Sequence, residues 1–433
     1  MVGDTDIGAS DAPPDDSARR FTSDSGALMI AGVVNGGLGL VFWAVAARTL
    51  PVEAVGRSAT AVMAATTIGA LSNLSMGPFF ERFLSTAGAA GRTVILRTHL
   101  VVALVAAILA LGYVAVAPRA ELFTDGGDVV MFVVTTVVVG AFALQDSILI
   151  GLLRGRWTAM KNIFHAVAKL VLLLIFAVVL ADSTAVLLAW TLPAAVAAGT
   201  VGVLIAAARG GLDEMFGRGD TAVPPPAALV RECASLYGIV LVNALLPVTV
   251  PLLVVHELGV VDAAYFGVSW TLVAGVTLIL SMISGPFVAR AAGRPPDLPA
   301  LVRRQTRLLL AVAAAAALAL GVIAPIAMTV IGAEYADNAR PLLIAMAVTQ
   351  ILSVPGYVFG GLVRVRRRLG YALCVQIGMA AGVIGLTWAL LPRYGLSAVG
   401  IAYLIMEFAM ILAVVRPIRR MLADIDADAA RQP

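Results

Sequence analysis

Residues 98–118 read THLVVALVAAILALGYVAVAP, twenty-one positions without one Asp, Glu, Lys or Arg. At about 1.5 Å of rise per residue, a helix of that length crosses the ~30 Å hydrocarbon layer of a bilayer. Eight further charge-free runs cover 25–47, 58–80, 183–208, 233–255, 263–289, 308–333, 341–363 and 369–392. Three more carry one ionisable residue each: 129–153 with Asp146, 162–181 with Lys169 and 394–415 with Glu407. The pattern predicts twelve spans. Backbone groups in lipid must be satisfied within the protein, and runs this long achieve that as helices, not as barrel strands.

Composition agrees. Of 433 residues, 61% are apolar and 13% charged. Soluble domains average about 45–50% apolar and about 25% charged. An ordinary soluble enzyme, a disordered chain and a coiled coil are excluded. The net charge of +4 comes from 30 basic and 26 acidic residues, and the basic ones punctuate apolar runs. That distribution does not form a nucleic-acid patch. The cysteines, Cys233 and Cys374, both sit in apolar context, so no disulfide framework is expected.

Charges between spans set the orientation. With a cytoplasmic N-terminus, 24 of the 30 basic residues fall on inward connections and tails. Five fall outside: Arg48, Arg57, Arg119, Arg340 and Arg393; Lys169 lies within a span. This asymmetry puts both termini in the cytoplasm of a multi-pass protein of the cell membrane. The expected organisation is a disordered tail over 1–20, a six-helix lobe over 21–208 and a cytosolic linker over 209–231. A second six-helix lobe covers 232–416, and a tail covers 417–433. The first 20 residues are acidic and contain proline, with no apolar core, so they do not read as a cleavable signal peptide.

The halves resemble each other. A shift of 208 places Asn35 on Asn243, Gly77-Pro78-Phe79 on Gly285-Pro286-Phe287, and Arg82 on Arg290. With two residues of slip, Gly151-Leu152-Leu153-Arg154 falls on Gly361-Leu362-Val363-Arg364. Six spans is an even number, so the repeats run parallel about an axis along the membrane normal. Two like lobes enclose a cleft that rocking opens to each side in turn.

The segment Ala47-Arg48-Thr49-Leu50-Pro51-Val52-Glu53-Ala54-Val55-Gly56, followed by Gly77-Pro78-Phe79-Phe80-Glu81-Arg82, resembles the polysaccharide biosynthesis, or O-antigen (Wzx-like), flippase family. So does Asp146-x4-Gly151-Leu152-Leu153-Arg154 with Asn162 and Lys169-Leu170. That family belongs to the multidrug/oligosaccharidyl-lipid/polysaccharide (MOP) exporter superfamily. The resemblance implies an all-α, MATE/MOP-like integral membrane fold of two six-helix repeats. It also implies a flippase for polyprenyl-diphosphate-linked oligosaccharide in cell-envelope polysaccharide biosynthesis, such as lipopolysaccharide. Partners would be that glycolipid, membrane lipids, and the polymerase or glycosyltransferases of the pathway. The alternative is a cation-coupled exporter of drugs or other small amphipathic molecules. The drug-exporter branch typically carries an acid in helix 1, and 25–47 has none.

Ionisable residues within spans are candidates for ion coupling or intramembrane charge: Asp146, Lys169 and Glu407. Asp146 and Lys169 are expected at one depth of a helical hairpin. They either pin two helices as an ion pair or face the cleft, and Lys169 alone has the option of snorkelling to the surface. Asn35 and Asn243 are candidates for sugar contact or for interhelical hydrogen bonds. Arg48, Arg57, Arg82 and Arg290 are candidates for the lipid phosphate, since guanidinium binds phosphate in two-point geometry. Anionic-lipid contact and topology are their other roles. His165 reads as a cytosolic-interface residue. No phosphate-binding G-x-x-x-x-G-K-[ST] loop, H-E-x-x-H or G-x-S-x-G occurs. Two cysteines and three histidines form no metal cluster, so neither an enzyme nor a cofactor is expected.

The topology is directly testable. In a cysteine-free background, G126C is expected to react with an impermeant maleimide from outside the cell, and R218C only after permeabilisation. The opposite labelling would invert the assignment.

Overall fold

The computed structural model describes residues 34–84, 90–152, 154–207, 226–284, 287–288, 291, 298–366 and 369–429. The 1–20 tail, most of the 209–231 linker, Gly285-Pro286 and Arg290 lie outside these residues, as does the side chain of Arg82. The elements described are helices throughout. The first half holds α1 (residues 34–49), α2 (Val52–Ser72), α3 (Gly77–Phe83) and α4 (Ala90–Val116). It continues with α5 (Arg119–Leu122), α6 (Gly126–Gly151), α7 (Gly155–Val179) and α8 (Ser183–Ala207). The second half holds α9 (Pro226–Leu258), α10 (Val260–Met282), α11 (Leu298–Leu318) and α12 (Ala324–Ile331). It ends with α13 (Ala333–Leu352), α14 (Val354–Arg366), α15 (Leu369–Tyr394) and α16 (Ser397–Ala429).

Among the described residues, nine helices are long and apolar enough to cross a membrane: α4, α6 to α10, α11 continued through α12, α15 and α16. The pair α13 and α14, bent by 42° at its break, makes a tenth when read as one broken span. The chain is thus a multi-pass integral membrane protein.

Local chemistry explains the boundaries. Pro51 precedes α2, where its fixed φ suits a helix entrance, and Glu53 lies in the first turn at the positive end of the helix dipole. The Asp125 carboxylate caps α6 by accepting from the Asp128 amide. Between α11 and α12, Ala319–Ile323 forms a π-helical turn. Pro325 follows and would clash with the carbonyl of Gly321, four residues back, so the widened turn removes the conflict.

Charge-free runs misplace several of these boundaries. The run 58–80 corresponds to a helix that starts at Val52 and stops at Ser72. Arg57 does not delay the helix, because its Nε donates to the Glu121 carbonyl at 3.0 Å. Leu74 and Ser75, with φ of 49° and 57°, then break the chain before α3. Arg303, Arg304 and Arg307 likewise ride on α11, which begins ahead of the run 308–333.

The halves meet at one end of the bundle. α2 packs on α4, α6 and α8 of its own half, and also on α9 and α10 of the other. Gly56 lies so near the Val260 carbonyl that any Cβ would collide with it. An ideal Cβ on Gly267 would stand 2.6 Å from the Ala59 Cβ. Small residues of this kind let backbones approach where lipid supplies no hydrophobic drive. The Arg48 guanidinium donates to the Val330 carbonyl in the last turn of α12, the negative end of that helix. These contacts gather at the end that carries the turns at 50–51, Gly259 and Gly332. The largest buried cluster joins Phe42, Val55 and Phe132 of the first half to Val254, Tyr265 and Leu343 of the second.

At the opposite end the buried clusters are separate. One contains Phe80, Ile95, Ile148 and Val201, all from the first half. The other contains Leu280, Val302, Val358 and Val414, all from the second. Among the described residues the bundle is thus joined across the halves at one end, and at the other, called the parted end below, each half has its own buried cluster. Gly56→Val is expected to loosen the closed end. Spin labels at the exposed Thr49 and Ala333, one in each half, should move apart relative to the parent protein. An unchanged distance would show that the close approach at Gly56 does not hold that end shut.

Candidate functional site

The helical hairpin of α6 and α7 carries most of the buried charge. Its turn is tighter and earlier than the sequence suggests, because α6 ends at Gly151 and α7 begins at Gly155. Asp146 is therefore about 8 Å up from the turn, Lys161 about 9 Å and Lys169 about 21 Å, at 1.5 Å per residue. Asp146 pairs with Lys161, Nζ to Oδ1 at 2.8 Å, and not with Lys169. The expected Asp146–Lys169 pair is thus corrected by one difference in depth. The Asn162 amide adds donor contacts to both Asp146 oxygens at 3.3 and 3.4 Å.

Lys161 is nearly fully buried. Its ammonium also donates to the Phe142 carbonyl and lies 3.6 Å from the centre of the Phe142 ring. One turn up, His165 is buried, with Nε2 at 3.0 Å from the Trp190 carbonyl. It is not the surface residue expected. A further turn up, Lys169 is 3% exposed, so it does not snorkel to the surface. Its ammonium lies 3.8 Å from the Trp190 ring centre and 5.5 Å from that of Phe42. Phe42 meets Trp190 edge to face at 5.3 Å. Among the described residues no carboxylate reaches Lys169. A cation held on aromatic faces is stabilised by about 2 kcal/mol when desolvated. That is small beside the several kcal/mol that full burial of an ion costs.

Lys161, His165 and Lys169 are spaced i, i+4, i+8, so they form one stripe up α7, about 12 Å long. The stripe has two formal positive charges against the one carboxylate of Asp146. His165 and Lys161 are the site residues that sequence reasoning misses. The four-residue spacing of three basic side chains is the signal that finds them.

The second half holds the complement. Glu407 on α16 is buried, and its Oε2 has no hydrogen-bond partner. Tyr403 on the same helix and Tyr357 on α14 are its titratable neighbours. No cation pairs with it among the described residues.

The remaining candidates are dispersed. Arg48 bridges the halves at the closed end, and Arg57 holds α5 against α2. Asn35 and Asn243 are exposed on α1 and α9. Neither approaches the stripe on α7 through any recorded contact. Arg82 and Arg290 cannot be placed from the described side chains. No group of three or more metal-ligating side chains occurs among the described residues.

Asp146→Asn would leave Lys161 buried without its counter-charge. Breaking a buried pair costs about 3–5 kcal/mol, and the low end applies because Asp146 is one-third exposed. A fall in thermal stability is expected in detergent, largely restored in Asp146→Asn/Lys161→Met. A double variant as unstable as the single one would contradict the pairing.

No family model matches the sequence, and no curated protein matches it. Solved structures do match. The MATE multidrug transporter DinF-BH, solved as a ligand complex, is 15% identical over 97% of this chain and 98% of its own, with a TM-score of 0.65. An inward-facing multidrug-resistance MATE transporter of the MOP superfamily is 12% identical over 92% and 96%, with a TM-score of 0.63. A MOP transporter from Pyrococcus furiosus, described as having a binding pocket of reversed polarity that suggests a different function, is 14% identical. That match covers 94% of each chain with a TM-score of 0.52. Identity this low speaks for architecture alone. The chain has the membrane-transporter fold of the MATE proteins of the MOP superfamily.

Proposed function

We propose that this protein is a flippase that moves polyprenyl-diphosphate-linked oligosaccharide from the cytoplasmic to the outer leaflet by alternating access. In this reading it has twelve spans in two parallel six-helix repeats, both termini in the cytoplasm, and works in cell-envelope polysaccharide assembly. The observation that carries the reading is the excess positive charge on α7. Among the described residues Lys169 is a buried cation without a carboxylate, and an anionic cargo would supply the missing charge. Two lobes joined at one end and parted at the other suit a carrier that exposes its cleft to one side at a time.

The residues then divide the work. Lys169 and Lys161 draw the diphosphate, while Asp146 and Asn162 keep Lys161 oriented. Arg48 and Arg57, with Arg82 and Arg290, contact phosphate at the two mouths of the cleft, and Asn35 and Asn243 contact sugar. Glu407 couples transport to an ion. Outward movement of a diphosphate is assisted by a membrane potential negative inside, at about 2.3 kcal/mol per charge per 100 mV.

The same fold serves a second reading, a cation-coupled exporter of small amphipathic molecules, and Glu407 is the residue that favours it. An isolated buried carboxyl is the kind of group that exchanges a proton or binds a cationic substrate.

Proteoliposomes loaded with fluorescent polyprenyl-diphosphate sugar separate the two. The flippase reading expects translocation, slowed at least tenfold in Lys169→Met. No movement with a panel of glycans, together with gradient-driven efflux of amphipathic cations that depends on Glu407, would establish the exporter instead.

A further inference from the structure

We propose that the groove between α11, α14 and α16, at the parted end of the bundle, binds an acidic glycerophospholipid of the adjacent leaflet. The groove has a volume of about 450 Å³. Its walls are Val302, Val354, Pro355, Val358 and Ile418, and Arg303 and Arg307 stand at its rim. Both arginines are exposed, and four residues apart on a helix places them on one face. Among the described residues neither guanidinium meets a carboxylate.

The depth of the rim fits a headgroup. The span from Pro299 to Ile331 is 33 residues, about 50 Å at 1.5 Å each. That exceeds the ~30 Å hydrocarbon layer, and the charges at Arg303, Arg304 and Arg307, ahead of the charge-free run 308–333, put the surplus at the first turns of α11, at the membrane–water boundary. There Arg303 and Arg307 meet lipid phosphates, for which the guanidinium fork is suited. Apart from Thr306, the rest of the lining is apolar and takes an acyl chain. A zwitterionic lipid carries an ammonium that would face the same two cations, so the charge selects an acidic headgroup. Basic pockets between spans are a known form of acidic-lipid site.

The first half carries a smaller groove of the same character. It measures about 190 Å³ and lies at the same end, beside α8, the last span of its half. Leu149, Leu152, Val201 and Ile205 line it, with Arg154 at the mouth. The Arg154 guanidinium lies 5.8 Å from the ring centre of Trp157, which is 40% exposed. An Arg and a Trp side by side are the side chains that settle at a headgroup interface. The larger groove has two cations against one, so it is the stronger site.

Native mass spectrometry of the full-length protein tests this, with phosphatidylglycerol and phosphatidylcholine of identical chains offered in equal amounts. Phosphatidylglycerol is expected to be retained several-fold more, and Arg303→Gln/Arg307→Gln to lose at least half of that preference. A control pair on the first half, Arg92→Gln/Arg97→Gln, removes the same charge from α4 and should retain it. Equal loss in both pairs would mean general charge attraction and overturn the site. So would the absence of any preference, or a groove that takes a polyprenyl phosphate and no phosphatidylglycerol. Because the variants lie outside the α7 stripe, their result is independent of whether the protein moves a glycolipid.

Discussion

The architecture depends on the close approach of α2 to α10. Helices in lipid gain little from apolar contact with one another, because the surrounding hydrocarbon is equally apolar. Association must come from backbone proximity and polar contacts. Gly56 against the Val260 carbonyl, Gly267 against Ala59, and Arg48 on the Val330 carbonyl provide both at a single end. At the other end the two halves bury their side chains among themselves. A joint at one end, with separate cores at the other among the described residues, suits lobes that rock.

The second constraint is the cost of charge away from water. The protein meets it unevenly. Lys161 has a carboxylate, a carbonyl and a ring face. Among the described residues Lys169 has only aromatic faces, and Glu407 has an oxygen with no partner. Ionisable groups within a span are costly, and the cost is least offset at Lys169 and Glu407. These are the cation in one half and the acid in the other on which the proposed function rests.

Much of this is legible in the sequence, and the failures have physical causes. Long charge-free runs locate most of the spans, since exclusion of charge from hydrocarbon is a strong rule. They miss the first turns of α2 and α11, because Arg57 and Arg303 extend from helices whose other faces are buried. They also do not foresee the bend at Ser353, two residues before Pro355, because the charge-free run 341–363 continues across it. Asp146 and Lys169, the two ionisable residues in spans 4 and 5, stand out in the sequence, but the partner that Asp146 takes, Lys161, does not. It turns on whether the hairpin reverses at Gly155 or a few residues later, and a shift of a few residues moves a lysine by a whole turn. Read as a loop charge, Lys161 leaves His165 at the surface; placed inside α7, it carries His165 into the core.

The central claim is that the parted end closes when the joined end opens. Double electron–electron resonance between labels at Arg154 and Arg364, exposed residues on the two halves at the parted end, measures it most directly. The account predicts a long distance in the resting protein and a second, shorter population when Gly56→Val weakens the joined end. A single distance that ignores the state of that joint would contradict it.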